Sequence, residues 1–341
     1  MKRALAAAFA LAITLGATPA MAQHEQMDEA LDISRMLLAP PPGIDPAYGA
    51  FQRGYYLTAL RLALPRAEAG DATAQTLIGE IYANGLGVPQ DIPRAISWYA
   101  QADSNGDIQA SFQLALIYQS GIGVERNRQR AAALFRKAAE GGHIAAKYNL
   151  GLLHVEGVYA EPSLSLAADL IGEAAEAGYP EAQYDFAVML LEGAGIAPDT
   201  ARGIELMHKA ANQGLVDAQI EYATMVYLGR GVERDAQEAA RWYGTAAQSG
   251  NPVAQARYAM MLATGEGVAA DMEQAVMYRA LARRQGLTDP NLDRMLQTAS
   301  AEEQAAGEER ARFWPAEPPS AIAQTPEPDA PFPTSIDWGE D

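Results

Sequence analysis

Four histidines, His24, His143, His154 and His208, are the only imidazoles in this 341-residue chain. No two stand three or four residues apart, the spacing by which one helix face offers two ligands to a metal. There is no cysteine at all. That removes thiol nucleophiles, disulfide exchange and thiolate zinc sites. The chain also lacks Ser-x-x-Lys, Gly-x-Ser-x-Gly, a Walker loop, His-Glu-x-x-His and Gly-x-Gly-x-x-Gly. Its 43 Asp and Glu residues include candidates for acid–base work, but none is set apart as a pair. The sequence therefore predicts no catalytic residue, no metal site and no cofactor.

What remains is binding. The formal charge is −18 and the pI about 4.6. Nucleic acid needs Lys and Arg opposite its phosphates, and an anionic membrane surface needs the same, so both are excluded as partners. Nearly half the residues are apolar, enough for a sizeable core.

The elements that would position a binding surface are repeats. Glycines stand at 70, 106, 142, 178, 214, 250 and 286, each 36 residues from the last. Between them lie six aligned blocks, 70–105, 106–141, 142–177, 178–213, 214–249 and 250–285. The first reads GDATAQTLIGEIYANGLGVPQDIPRAISWYAQADSN and the fifth GLVDAQIEYATMVYLGRGVERDAQEAARWYGTAAQS. Such self-similarity marks a solenoid, in which each unit buries its apolar face only against its neighbours.

Each block reads as two helices. The first carries small residues four places after the glycine (Ala74, Ala110, Ala146, Ala182, Ala218, Ala254) and nine places after it (Gly79, Ala115, Gly151, Ala187, Ala223, Ala259), so that helix axes can approach closely. It ends at Gly85, Gly121, Gly157, Gly193, Gly229 and Gly265. The second helix starts after Asp91, Asn127, Ser163, Asp199, Asp235 and Asp271, all residue types that cap helix N-termini. Its core anchors are expected at Trp98, Leu134, Leu170, Leu206, Trp242 and Tyr278.

The pattern A-Q-x-x-L-G-x-x-Y-x-x-G-x-G-V, then D-x-x-x-A-x-x-W-Y-x-x-A-A-x-x-G, resembles the Sel-one-like repeat, a relative of the tetratricopeptide repeat. The resemblance runs from Gly70 to Gly286. It implies an all-α fold, a right-handed α-solenoid of six 36-residue helix-turn-helix repeats with helical caps. It also implies protein–protein interaction or scaffolding. Some bacterial members are linked to peptidoglycan-fragment or β-lactam binding and hydrolysis, which leaves an envelope protein of that kind as one alternative and a structural spacer as another. Repeat three departs from the pattern. Tyr159 replaces a glycine, His154 a tyrosine, and Pro162 precedes the cap, so a turn of different shape is expected there.

One face of the first helix carries more apolar residues than a wet surface needs. Six places after the glycine stand Phe112, Tyr148, Tyr184 and Ile220, ten places after it Leu152 and Val188, and thirteen places after it Leu191 and Tyr227. Beside them, seven places after the glycine, run Gln113, Asn149, Asp185, Glu221 and Arg257, with Glu192 flanking. By resemblance to tetratricopeptide arrays, this face lines a concave surface. The candidate partner site is thus Phe112, Tyr148, Leu152, Tyr184, Asp185, Val188, Leu191, Glu192, Glu221 and Tyr227. Apolar anchors with an acidic margin suit a basic, amphipathic peptide or protein. Alternatively, the strip packs helix against helix inside a tightly wound array.

The flanks complete the plan. Residues 1–22 read as a secretory signal: Lys2 and Arg3, an apolar run from Ala4 to Leu15, and Ala20-Met21-Ala22 as the cleavage site. Cleavage after Ala22 and residence in the periplasm are expected, with no membrane insertion afterwards and a monomeric chain. Residues 23–45 form a Pro-rich linker segment, 46–69 a capping helix and 286–314 a C-terminal helical cap. The tail 315–341 carries six carboxylates and no Lys or Arg, and reads as disordered.

Overall fold

The computed structural model describes residues 45–157 and 162–315. The leader, the linker up to residue 44, Tyr159 and the tail from residue 316 lie outside the described residues. The described residues hold sixteen α-helices, one short 3-10 turn and no strand. They divide between Ala146 and Lys147 into two compact units.

Unit one contains α1 (Pro46–Gln52), α2 (Tyr56–Glu68), α3 (Ala72–Asn84), α4 (Ile92–Ser104), α5 (Ile108–Ser120), α6 (Arg128–Glu140) and the start of α7 (Ile144–Glu156). Unit two contains the rest of α7, then α8 (Leu164–Glu176), α9 (Pro180–Glu192), α10 (Thr200–Asn212), α11 (Val216–Leu228), α12 (Ala236–Gln248), α13 (Pro252–Thr264) and α14 (Met272–Arg284). It closes with α15 (Pro290–Met295), the turn Leu296–Thr298 and α16 (Ala301–Phe313).

The repeat punctuation is as the sequence reads. Asp91, Asn127, Ser163, Asp199, Asp235 and Asp271 each accept a backbone N–H of the turn they open. This satisfies donors that have no partner inside the helix. The glycines that end the first helices are left-handed, from φ +64° at Gly157 to +75° at Gly193. The N-terminal cap differs from the single helix expected over 46–69. Gly54, at φ +80°, breaks it into α1 and α2, and Tyr55 N–H returns to the Ala50 carbonyl at 2.9 Å.

On the first helices, places four, five, eight, nine, eleven and twelve after the glycine are mostly buried. At 100° per residue these fall on one arc of about 160°. Helix α9 shows it: Ala182, Gln183, Phe186, Ala187, Met189 and Leu190 are all buried. Places three, six, seven, ten and thirteen take the other arc.

The second-helix anchors need correcting. Leu206 and Tyr278 are buried as expected. Trp98, Leu134, Leu170 and Trp242 are only half-buried. The deepest side chain sits one residue on: Tyr99, Phe135, Ile171, Met207 and Tyr243, each at most 3% exposed. The physical reason is the small residue nine places after the glycine. A Cβ on Gly79 would lie 2.6 Å from the Tyr99 ring, and one on Gly151 would lie 2.6 Å from Ile171 Cγ1. That place is vacated for the inward anchor, while the tryptophans seal the margin.

A buried amide ladder joins helix ends. Gln75, Gln183, Gln219 and Gln255 each donate from Nε2 to the carbonyl eight residues back, satisfying a helix-terminal acceptor. Asn105, Gln213 and Gln285 in turn donate to the Oε1 of Gln75, Gln183 and Gln255.

Candidate functional site

Most of the expected site lies on unit two, on the half-buried arc of α7, α9 and α11. Tyr148 and Leu152 come from α7, Tyr184, Asp185, Val188, Leu191 and Glu192 from α9, and Glu221 and Tyr227 from α11. Tyr148, Leu152, Tyr184, Asp185, Val188, Leu191 and Tyr227 are half-buried, while Glu192 and Glu221 are exposed. The strip is therefore neither a sealed core nor a free polar face. Phe112 belongs to unit one, where the His143 imidazole stacks on it at 4.2 Å between centroids. Leu191 packs over Gly203, whose Cβ would approach its Cγ to 3.0 Å. Both residues do packing work.

The centre of the site is Tyr148. Its hydroxyl donates to Asp185 Oδ2 at 2.8 Å, and its ring lies 5.2 Å from that of Tyr179. Burial pushes the Asp185 carboxyl above the usual carboxylate range; the Glu181 charge adds to this, and the Tyr148 hydrogen bond opposes it. Burial likewise raises the Tyr184 hydroxyl, helped by the charges of Glu221, Asp217 and Asp185. Tyr184 thus stands in a negative field. None of Glu181, Asp185, Asp217 and Glu221 forms an ion pair with a described residue.

Sequence reasoning missed Tyr179. It occupies the place where Asp71, Asp107 and Asn251 cap their helices through the side chain, yet it makes no such bond. An aromatic in a capping place was the available signal. At the other end of the strip, the Tyr227 hydroxyl donates to Glu266 Oε2 at 2.8 Å. Arg234 pairs with Glu266 and lies over the Tyr227 ring. This arrangement presents aromatic faces and unneutralised carboxylates side by side. It can hold cationic, amphipathic groups by charge attraction and ring contact.

Six consecutive stretches match the model of the Sel1 repeat: residues 72–107, 108–143, 144–179, 180–215, 216–251 and 252–287. The chain belongs to the Sel1 repeat family. Sel1 repeat proteins generally mediate protein–protein interactions, and the scaffold is typically non-catalytic. The chain is similar in structure to a Sel1 repeat protein from Oxalobacter formigenes, at 29% identity and a TM-score of 0.64, covering 70% of this chain and 98% of that one. It is also similar to a protective antigen of uropathogenic Escherichia coli strains that displays the Sel1-like repeat fold. There the identity is 23% and the TM-score 0.66, with 77% of this chain covered. This chain spans 59% of the length of that antigen. No curated protein matches the chain.

Proposed function

We propose that this Sel1 repeat protein is an exported interaction scaffold, without catalytic activity, that captures a basic, amphipathic polypeptide on the tyrosine–carboxylate strip of unit two. One observation carries the reading. Tyr148, Tyr179 and Tyr184 are held half-exposed beside Glu181, Asp185, Asp217 and Glu221, and among the described residues no Lys or Arg pairs with those carboxylates. Leaving like charges unpaired around Asp185 costs folding energy. A cationic partner would recover it. The charged leader, its apolar run and the Ala20-Met21-Ala22 site support export to the periplasm.

The test is comparative capture. The chain from Gln23 onward serves as bait in periplasmic extract, alongside an Asp185→Asn, Glu221→Gln variant. Polypeptides held by the first and lost by the second, and released by added salt, are the expected result. Equal capture by both baits would refute the site. An intact Met1 on protein from the cytosolic fraction would refute export.

A further inference from the structure

The acidic strip reverses sign at its last member. Seven places after the glycine come Asp185, Glu221 and then Arg257 on α13. Arg257 is exposed and forms no hydrogen bond or ion pair with any described residue. It lines a cleft of about 250 Å³ with Tyr227, Tyr243, Met260, Met261 and Met295. The other polar groups of the cleft already have partners. Glu266 is held by Arg234 and by the Tyr227 hydroxyl. The Tyr243 hydroxyl is bonded to the Thr224 hydroxyl at 2.7 Å. What is on offer is therefore one guanidinium beside three thioethers. Methionine side chains adapt to varied apolar shapes, and a guanidinium matches a carboxylate through two parallel hydrogen bonds.

We propose that this cleft takes the carboxyl-terminal residue of a polypeptide, its apolar side chain among the methionines and its terminal carboxylate on Arg257. The proposal rests on the reading that this face of unit two is the docking face, and it names which end of the partner arrives there. The field of the strip selects a terminus over an acidic segment. Glu221 and Asp217 repel further negative charge, so the occupant brings a single carboxylate attached to an apolar group. The volume suits one residue of medium size.

The cleft is tested with a small probe. The full chain is labelled with ¹³C at the methionine methyls and titrated with N-acetyl-L-leucine, then with N-acetyl-L-leucine amide. Saturable shifts at Met260, Met261 and Met295 are expected with the acid, while Met207 and Met277, which do not line the cleft, stay still. The amide should bind about tenfold more weakly, the loss expected when one charge-assisted pair is removed. Arg257→Gln, a change at an exposed side chain, should remove that preference. Equal binding of acid and amide would overturn the proposal, as would silence at the three methyls or a preference that survives Arg257→Gln. Shifts produced only by deleting residues 316–341 would also overturn it, and would assign the cleft to the chain's own tail. The probe carries no basic group. Its failure would leave the acidic strip as the docking site, and failure of partner capture would leave the probe result standing.

Discussion

The Tyr148 hydroxyl donates to the Asp185 carboxylate at 2.8 Å, tying the first helix of repeat three to the first helix of repeat four. Burial holds that carboxyl above its ordinary value of 3.8. The folded state therefore keeps the proton where the unfolded state releases it. Stability from this group is full below about 3.8 and is lost as pH rises through the elevated folded value. Asp185→Asn still accepts from Tyr148 and cannot ionise. Its melting temperature should exceed that of the parent at pH 7, and the gain should vanish below the ordinary carboxylate pKa. A gain independent of pH, or a loss at pH 7, would contradict this account.

Capture should depend on pH in the opposite sense. A cationic partner needs Asp185 ionised, so binding should weaken as pH falls through the raised pKa. Unchanged affinity from neutral to acidic pH would remove Asp185 from the interface.

Tyr184 separates recognition from folding more cleanly than Tyr148, because its hydroxyl has no hydrogen-bond partner among the described residues. Tyr184→Ala should cost less than about 2 kcal/mol of stability, as changes at half-buried sites do. Partner capture should fall at least about tenfold, the loss of one aromatic anchor. A variant that melts far lower yet captures fully would return the strip to the packing role.

Tyr243, 3% exposed, is the anchor of its repeat. Tyr243→Ala should cost on the order of 3–5 kcal/mol, and Trp242→Ala clearly less. Repeat stability is nearest-neighbour in character, so hydrogen exchange should accelerate in α10 to α14 and stay unchanged in α3 to α5. Uniform loosening would contradict the one-dimensional picture.

The amide ladder has a missing rung. Gln219 is 5% exposed and its Oε1 finds no donor among the described residues, because the place held by Asn105, Gln213 and Gln285 elsewhere is Ser249, whose hydroxyl turns to the Thr245 carbonyl. Ser249→Gln should supply the bond and raise stability by about 1 kcal/mol. Chemical denaturation of the two proteins compares them directly, and no gain would mean the buried oxygen is satisfied in another way.

Sequence alone determined the repeat, its frame and its punctuation. Those features are local: a capping oxygen, a left-handed glycine and the period of small residues act within a few residues, so one chain suffices to read them. The split of the N-terminal cap at Gly54 was equally local and went unread, since a lone glycine within a helical run signals either a cap or a tolerated defect. Tertiary structure decided the rest. Trp242 and Tyr243 are adjacent and both aromatic, and only the packing against another helix, where the Tyr243 hydroxyl meets that of Thr224 at 2.7 Å, makes Tyr243 the anchor. That Asp185, Glu221 and Arg257 form no ion pair among the described residues was likewise undecidable from the chain, because pairing depends on which side chains other repeats bring within about 4 Å. Residue types set the signs along the strip, and distances between repeats decided which of those charges go without an ion pair among the described residues.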